Sequence, residues 1–194
     1  MTAPARPLII GCGILRRELQ WLEAQRGLTF DAELLGPALH LDLPKLERVF
    51  GAQLERTAPR KPGVFFGACH PGLDTWLAAR GTPRTRALNC VEMLLGPERY
   101  AAELTAGAYF LLEPWARTWT QALTTTFGDR PELVREIFRG AHTRVLALRT
   151  PCSGDFTAAA TAASEAAGLP LEWLDVDLDH LERVVRGLLA EVRA

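Results

Sequence analysis

The chain has 194 residues, enough to bury a substantial core without disulfide or metal staples. With 48% hydrophobic residues, 23% charged residues and a formal net charge of -1, its composition is that of an ordinary globular protein. It has no electrostatic footprint for nucleic acid or for an anionic membrane surface.

No apolar stretch approaches the roughly 18 residues needed to span a bilayer. Met1–Arg6 leads into only the short apolar run Leu8-Ile9-Ile10, so no secretory signal is expected. The expectation is a cytoplasmic chain folding as one α/β domain over residues 1–194, with residues 1–6 a short flexible N-terminus. Lys45 and Lys61 are its only lysines, and arginine supplies the other cations.

Pro7–Gly11 reads as a buried strand, followed by a helix over Ile14–Gln25 with Ile14, Leu15, Leu19 and Leu22 on one face. Glu33–Leu35 is a short strand. A helix opens near Pro44, a residue suited to a first helical turn, and is expected to stop at Gly51. Gly63–Gly67 is the second clear strand, with a helix over Leu73–Ala79 behind it. Arg86–Leu88 is predicted as a short strand, Val91–Leu95 as a helix, Ala108–Leu112 as a strand and Trp115–Thr125 as a helix. Asp129-Arg130-Pro131-Glu132 opens the next helix, with Asp129 in the N-cap role. Thr143–Leu148 is a strong strand, Phe156–Ala167 an alanine-rich helix closed by Gly168, and Leu171–Leu174 an edge strand. The last helix carries Leu178, Leu181, Val185 and Leu188 at spacings of three and four. Strands alternating with helices in this way predict an α/β fold, Rossmann-like, with a mostly parallel sheet flanked by helices on both faces.

The four cysteines, Cys12, Cys69, Cys90 and Cys152, are too few and too scattered for a disulfide framework. Each follows or closes a predicted strand. Parallel strands put their carboxyl ends on one edge, where ligands bind in open α/β sheets. Glycine and proline crowd the same places: Gly11-Cys12-Gly13, Gly67-Ala68-Cys69-His70-Pro71-Gly72 and Pro151-Cys152-Ser153-Gly154. Glycine permits tight turns and close backbone approach. A helix starting after such a turn is expected to lower a thiol's pKa and favour the thiolate. A single cysteine of this kind is more often a small buried hydrophobe, but four at strand ends make a candidate site. The Cys-x-x-Cys pair of a zinc ribbon is absent.

Other residues carry weaker signals. His40 and His70 are possible nitrogen ligands, His40 reading first as a core or capping residue. His142 and His180 read as surface residues, and Trp115 and Trp119, at i and i+4, as core. Tyr109 lies on a buried strand, where its hydroxyl needs a partner. Glu113 and Asp155 are candidate acid–base groups, with helix capping the first role for Asp155. The chain has no Gly-x-Gly-x-x-Gly, no Walker sequence, no Gly-x-Ser-x-Gly elbow and no Asp-x-His-x-x-Gly cobalamin signature.

A set of short motifs is shared with one family: Ile9-Ile10-Gly11-Cys12-Gly13-Ile14-Leu15 with Glu18, Leu39-His40 with Pro44 and Leu46, and Phe66-Gly67-Ala68-Cys69. They continue in Asn89-Cys90-Val91 with Leu94-Leu95-Gly96 and Tyr100, then in Ala108-Tyr109-Phe110-Leu111 with Trp115. On these residues the chain resembles the DUF1638 group of uncharacterised bacterial and archaeal proteins. The resemblance implies cysteines at Cys12, Cys69 and Cys90 and a histidine at His40. The pattern often has Asp in place of Asn89 and Gly in place of His70, and Cys152 lies outside it. The resemblance also implies company with corrinoid-dependent methyltransferase systems, and so a role in one-carbon metabolism.

The leading expectation is a metal–thiolate protein. Cys12, Cys69 and Cys90 would hold zinc or an iron–sulfur cluster, with His70, Cys152 or an exogenous ligand in the fourth position. The alternative is a metal-free accessory protein that binds a small molecule or a corrinoid methyltransferase partner, its cysteines merely packed. A third reading makes Cys69 a nucleophile with His70 or His40 as base. Neighbouring residues on an extended chain face opposite ways, which disfavours the Cys69–His70 pair.

Overall fold

The computed structural model describes residues 5–193. The fold class is α/β, and all the described strand pairs are parallel. The strands form two three-stranded sheets where the sequence suggested one, and the chain divides into two compact units. Alternation of strands and helices sets the class; it carries no information on how many sheets the strands build.

The first unit takes residues 1–94 and 178–194. It contains β1 (Leu8–Cys12), α1 (Arg16–Arg26), β2 (Asp31–Leu35), α2 (Leu43–Thr57), β3 (Gly63–Phe65) and α3 (Leu73–Ala78). α4 (Cys90–Leu95) closes its first stretch. The sheet order is β2–β1–β3. All five residues of β1 are buried, as the central strand of a parallel sheet covered on both sides requires, whereas β2 is part exposed along its length. Leu8, Ile9 and Ile10 of β1, Leu19 and Leu22 of α1 and Phe50 of α2 are all buried.

The second unit, residues 95–177, holds α5 (Pro97–Thr105), β4 (Ala108–Leu112), α6 (Glu113–Phe127), α7 (Pro131–Ala141), β5 (Arg144–Arg149), α8 (Thr157–Ala167) and β6 (Leu171–Asp175). Its order is β4–β5–β6, with the apolar centre of β5 buried and β6 the expected edge. Trp119, Val134, Phe138, Val145, Ala147 and Phe156 share its core. The chain then returns to the first unit as α9 (Asp179–Arg193), which packs on β3 and buries Leu181, Val185, Leu188 and Leu189.

Several boundaries differ from expectation for physical reasons. α2 runs through Gly51 to Thr57 because Gln53, Leu54 and Thr57 are buried beyond it; their packing outweighs the roughly 1 kcal/mol cost of an interior glycine. Residues 86–88 form no strand. Nearby, an isolated parallel bridge joins Arg84 to Val64. α7 starts at Pro131 with Arg130 in the N-cap place and no side-chain cap, so Asp129 does not cap it. α5 has no fully buried residue and is held through the half-buried Tyr100, whose ring stacks on Phe110 at 5.4 Å. Of the expected flexible N-terminus, residues 1–4 lie outside the described residues. Arg6 is held by Glu23 and by the carbonyl of Phe30.

Candidate functional site

In the first sheet the chain passes from β1 to β2 on one side and then crosses to β3 on the other. The strand order therefore reverses at β1. In open parallel sheets the crevice outside the carboxyl ends at such a reversal is the usual ligand site. Cys12 is the last residue of β1, Cys69 follows β3, and Cys90 is the first residue of α4. All three belong to the first unit. The second sheet runs in sequence order and has no reversal. Cys152 sits there, in the turn after β5, and does not share a unit with the other three.

Backbone pairing brings the segments bearing Cys69 and Cys90 together. Val64 N–H donates to the Pro83 carbonyl at 2.8 Å, Thr85 N–H to that of Val64 at 3.0 Å, and Ala68 N–H to that of Leu88 at 2.9 Å. The buried Thr85 hydroxyl donates to the Phe66 carbonyl at 2.6 Å. Residues 83–88 thus run beside β3 and its continuation. The approach is so close at Gly67 that a Cβ there would lie 2.5 Å from the Leu88 oxygen and 2.6 Å from Asn89 Cα. At Gly11, with φ +151°, a Cβ would lie 2.2 Å from the Phe65 oxygen, so β1 and β3 approach through a residue without a side chain beside Cys12. Asn89 Oδ1 accepts the N–H groups of Val91 and Glu92, both at 3.0 Å, which caps α4 and fixes Cys90 in its first turn.

The electrostatics run against the expected thiolates. Cys12 is 6% exposed, and burial, aided by the charge of Cys69, pushes its pKa up to about 12 despite a hydrogen bond from the Ile14 backbone. Burial raises Cys90 further, with added contributions from Cys12 and Cys69. Cys69 is raised by burial too, partly offset by the Gly67 backbone and the Arg84 charge. Two causes explain the reversal. A 3-10 turn, Gly13–Leu15, follows Cys12 in place of an α-helix, and the six residues of α4 supply too small a dipole to offset the desolvation of Cys90. Among the described residues, no three His, Cys, Asp or Glu side chains stand as a ready-made metal ligand set.

The histidines differ sharply. His40 Nδ1 lies 2.9 Å from the Pro37 carbonyl, and its Nε2 is buried without a partner among the described residues. His70 Nδ1 accepts the Gly72 N–H at 3.0 Å, and its ring lies 4.5 Å from that of Trp76. His142 is half-buried, with its ring 5.2 Å from Tyr109, and burial lowers its pKa. His180 is half-buried beside Arg183 and is lowered by the same cause.

In the second unit Glu113 is structural. Its buried carboxylate accepts Gly154 N–H at 2.8 Å and Arg117 Nε at 2.9 Å, pinning the turn that carries Cys152. The Cys152 sulfur lies 3.4 Å from the Thr150 hydroxyl. Asp155 accepts Thr157 N–H at 2.9 Å and so caps the start of α8. Trp119 is core, and Tyr109 packs on it with ring centroids 5.2 Å apart. Burial raises the Tyr109 pKa. A groove of about 590 Å³ lined by Glu55, Lys61 and Arg80 lies at the amino end of β3 and holds no thiol.

The family model described as "Protein of unknown function (DUF1638)" matches residues 34–185. The chain belongs to the DUF1638 family. The matched segment includes His40, Cys69, His70, Cys90 and Cys152, and Cys12 precedes it. No curated protein and no solved structure matches this DUF1638 chain. No described helix is long and apolar enough to cross a membrane.

Two features escaped the sequence reading. Glu92 is a buried carboxylate in the thiol-bearing unit, without a charge run to flag it, and the burial of Glu18, known from the sequence only as part of a motif, was equally unsignalled. The free nitrogen of His40 depends on a hydrogen bond five residues past β2, which residue spacing does not reveal.

Proposed function

We propose that Cys12, Cys69 and Cys90 form a thiolate site for a soft metal, either zinc or an iron–sulfur cluster. The observation that carries this reading is the placement of three cysteines around the strand-order reversal of one parallel sheet. Glycine-mediated backbone approach brings their segments together. Sulfur ligands select zinc or iron over magnesium and calcium.

Buried thiols whose charged forms would repel one another stay protonated without a cation, and a bound cation would replace those protons. Cys69 lies in a stretch outside the regular helices and strands, so its sulfur can close toward the other two without breaking a strand. Bound zinc would supply Lewis acidity or activate a thiol, and a cluster held by three cysteines would keep one iron for another ligand. Of the fourth ligands considered from the sequence, Cys152 lies in the other unit and His70 commits Nδ1 to Gly72. The company with corrinoid-dependent methyltransferase systems that the resemblance implies extends the reading to one-carbon transfer. Replacing Cys69 or Cys90 by Ser should remove bound metal while Cys152→Ser keeps it. Equal metal content in all three variants would refute the site.

A metal-free accessory protein with packed cysteines is the second reading. It is favoured by the lack of a ready-made ligand set among the described residues. It predicts three thiols that label slowly in the native protein and no metal retained at any stage.

A further inference from the structure

Among the described residues, Lys61 alone outside the glycines has a left-handed backbone, at φ 47° and ψ 65°. A side chain is strained there, and glycine or asparagine takes this conformation more readily. The turn explains the backbone: Lys61 N–H donates to the Ala58 carbonyl at 3.0 Å and closes the 3-10 turn Ala58–Arg60. It does not explain a lysine, in a chain with only one other, Lys45, among its 22 basic residues. Strain of this kind collects at ligand clamps and other functional positions.

Lys61 lines the groove of about 590 Å³ at the amino end of β3. Small-molecule sites have volumes of roughly 300–1,000 Å³. Glu55, Arg80 and Thr82 line the same groove, with Leu54 and Pro62 as apolar wall. All of these residues belong to the first unit. Arg80 lies two residues beyond α3 and is steadied by its Nη1, which donates to the Trp76 carbonyl at 3.0 Å. Neither the Lys61 amine nor the Glu55 carboxylate forms a hydrogen bond or an ion pair among the described residues.

The groove therefore offers both signs of charge. Lys61 and Arg80 supply two cations, and Thr82 adds a hydroxyl. Glu55 supplies an anion in the last turn of α2, whose final carbonyls add partial negative charge. Arg56, in the same turn, is paired with Glu33 of β2 and leaves Glu55 uncompensated. Cations and carboxylate share the groove without pairing with each other, so both remain for a ligand. A phosphomonoester carries up to about two negative charges and three acceptor oxygens. An amine, a guanidinium and a hydroxyl match that demand. Glu55 disfavours bare phosphate and favours an ammonium group on the same ligand.

We propose that this groove binds a small phosphomonoester that also bears an ammonium group, with its phosphate on Lys61 and Arg80 and its ammonium on Glu55. The groove precedes β3, whereas Cys69 follows it, and the proposal does not depend on the thiolate reading.

The probe is O-phosphoethanolamine, titrated into the full chain in phosphate-free buffer and followed by calorimetry and by amide ¹⁵N–¹H spectra. It should bind saturably and shift amides within residues 54–61 and 80–82. Inorganic phosphate should bind more weakly, and ethanolamine not at all. Lys61→Ala and Arg80→Ala should each weaken O-phosphoethanolamine binding by roughly fivefold or more. Glu55→Gln should weaken it while leaving inorganic phosphate as tight or tighter. Lys61→Gly removes the amine and the strain together. It should lose binding as Lys61→Ala does, yet melt no lower than wild type, which separates a lost ligand contact from a damaged fold. Cys69→Ser should bind like wild type.

No saturable binding, or equal binding by wild type and Lys61→Ala, would overturn the site. Inorganic phosphate bound as tightly as O-phosphoethanolamine would overturn the ammonium assignment. The aminoalkyl carboxylate β-alanine bound as tightly would overturn the phosphate assignment.

Discussion

Adding one methyl group at Gly67 should open the thiol site. The new Cβ would stand 2.5 Å from the Leu88 oxygen, 2.6 Å from Asn89 Cα and 2.8 Å from Asn89 N. Ordinary Cβ contacts begin near 3.4 Å, so the two segments must part by most of an ångström. All three opposing atoms are backbone, and no rotamer change relieves the clash. Overpacking of this kind costs about 1–3 kcal/mol. Loss of the Ala68–Leu88 hydrogen bond would add about 1 kcal/mol. Gly67→Ala should therefore destabilise the protein by roughly 2–4 kcal/mol in urea unfolding. The control is Gly51→Ala in α2, where a Cβ meets nothing within 4 Å. That change should stabilise by about 0.5–1 kcal/mol through helix propensity. A Gly67→Ala protein within about 0.5 kcal/mol of wild type, well below the cost of such a clash, would show that the two segments do not approach as described.

Alkaline titration gives a second check on metal-free protein. An unfolded cysteine titrates near about 8.5, and native Cys12 near about 12. The native state thus holds its proton longer, so the associated stability is complete below about pH 8.5 and is lost as pH climbs toward about 12, by up to about 1.4 kcal/mol per pH unit. Cys12→Ala should flatten this slope, and parallel slopes for the two proteins would contradict the burial assigned to Cys12. In the second unit, Glu113→Ala removes the acceptor of Gly154 N–H and Arg117 and should cost about 2–3 kcal/mol; an unchanged urea midpoint would deny the clamp. Leu181→Ala in α9, at a fully buried position, should cost about 2–5 kcal/mol and speed hydrogen exchange in β1 and β3. Unaltered exchange there would separate α9 from the first sheet.

Much of this architecture was legible because its central strands are apolar throughout. Leu8–Cys12 and the centre of Arg144–Arg149 are buried, and both read as strands from composition alone. Helix α5 was missed, with no fully buried residue on it, and α2 outran Gly51 because the residues that hold it in place come later. Periodicity identifies strands and leaves their partners open, which is why two sheets replaced one. Cys152 belongs to the second unit and the other three cysteines to the first, which strand periodicity does not reveal. Cys12 closes β1 as read and Cys69 follows β3, whereas Cys90 opens α4 behind a stretch that forms no strand. The acidity of these three was misread, because glycines and helix starts are local signals, whereas desolvation depends on everything packed around the sulfur. Likewise, His70 gained attention as the neighbour of Cys69, but a single backbone hydrogen bond commits its Nδ1 to the turn.

The central claim is that the thiols of Cys12, Cys69 and Cys90 bind a soft metal, and metal content tests it most directly. The protein should be purified without oxygen and without a histidine tag, then assayed for zinc, iron and acid-labile sulfide beside a visible spectrum. The account predicts either one zinc per chain with no colour, or iron and sulfide with thiolate charge-transfer absorption near roughly 400 nm. Protein that holds neither, even after anaerobic supplementation with zinc or with iron and sulfide, would contradict it and leave the packed-cysteine reading in its place.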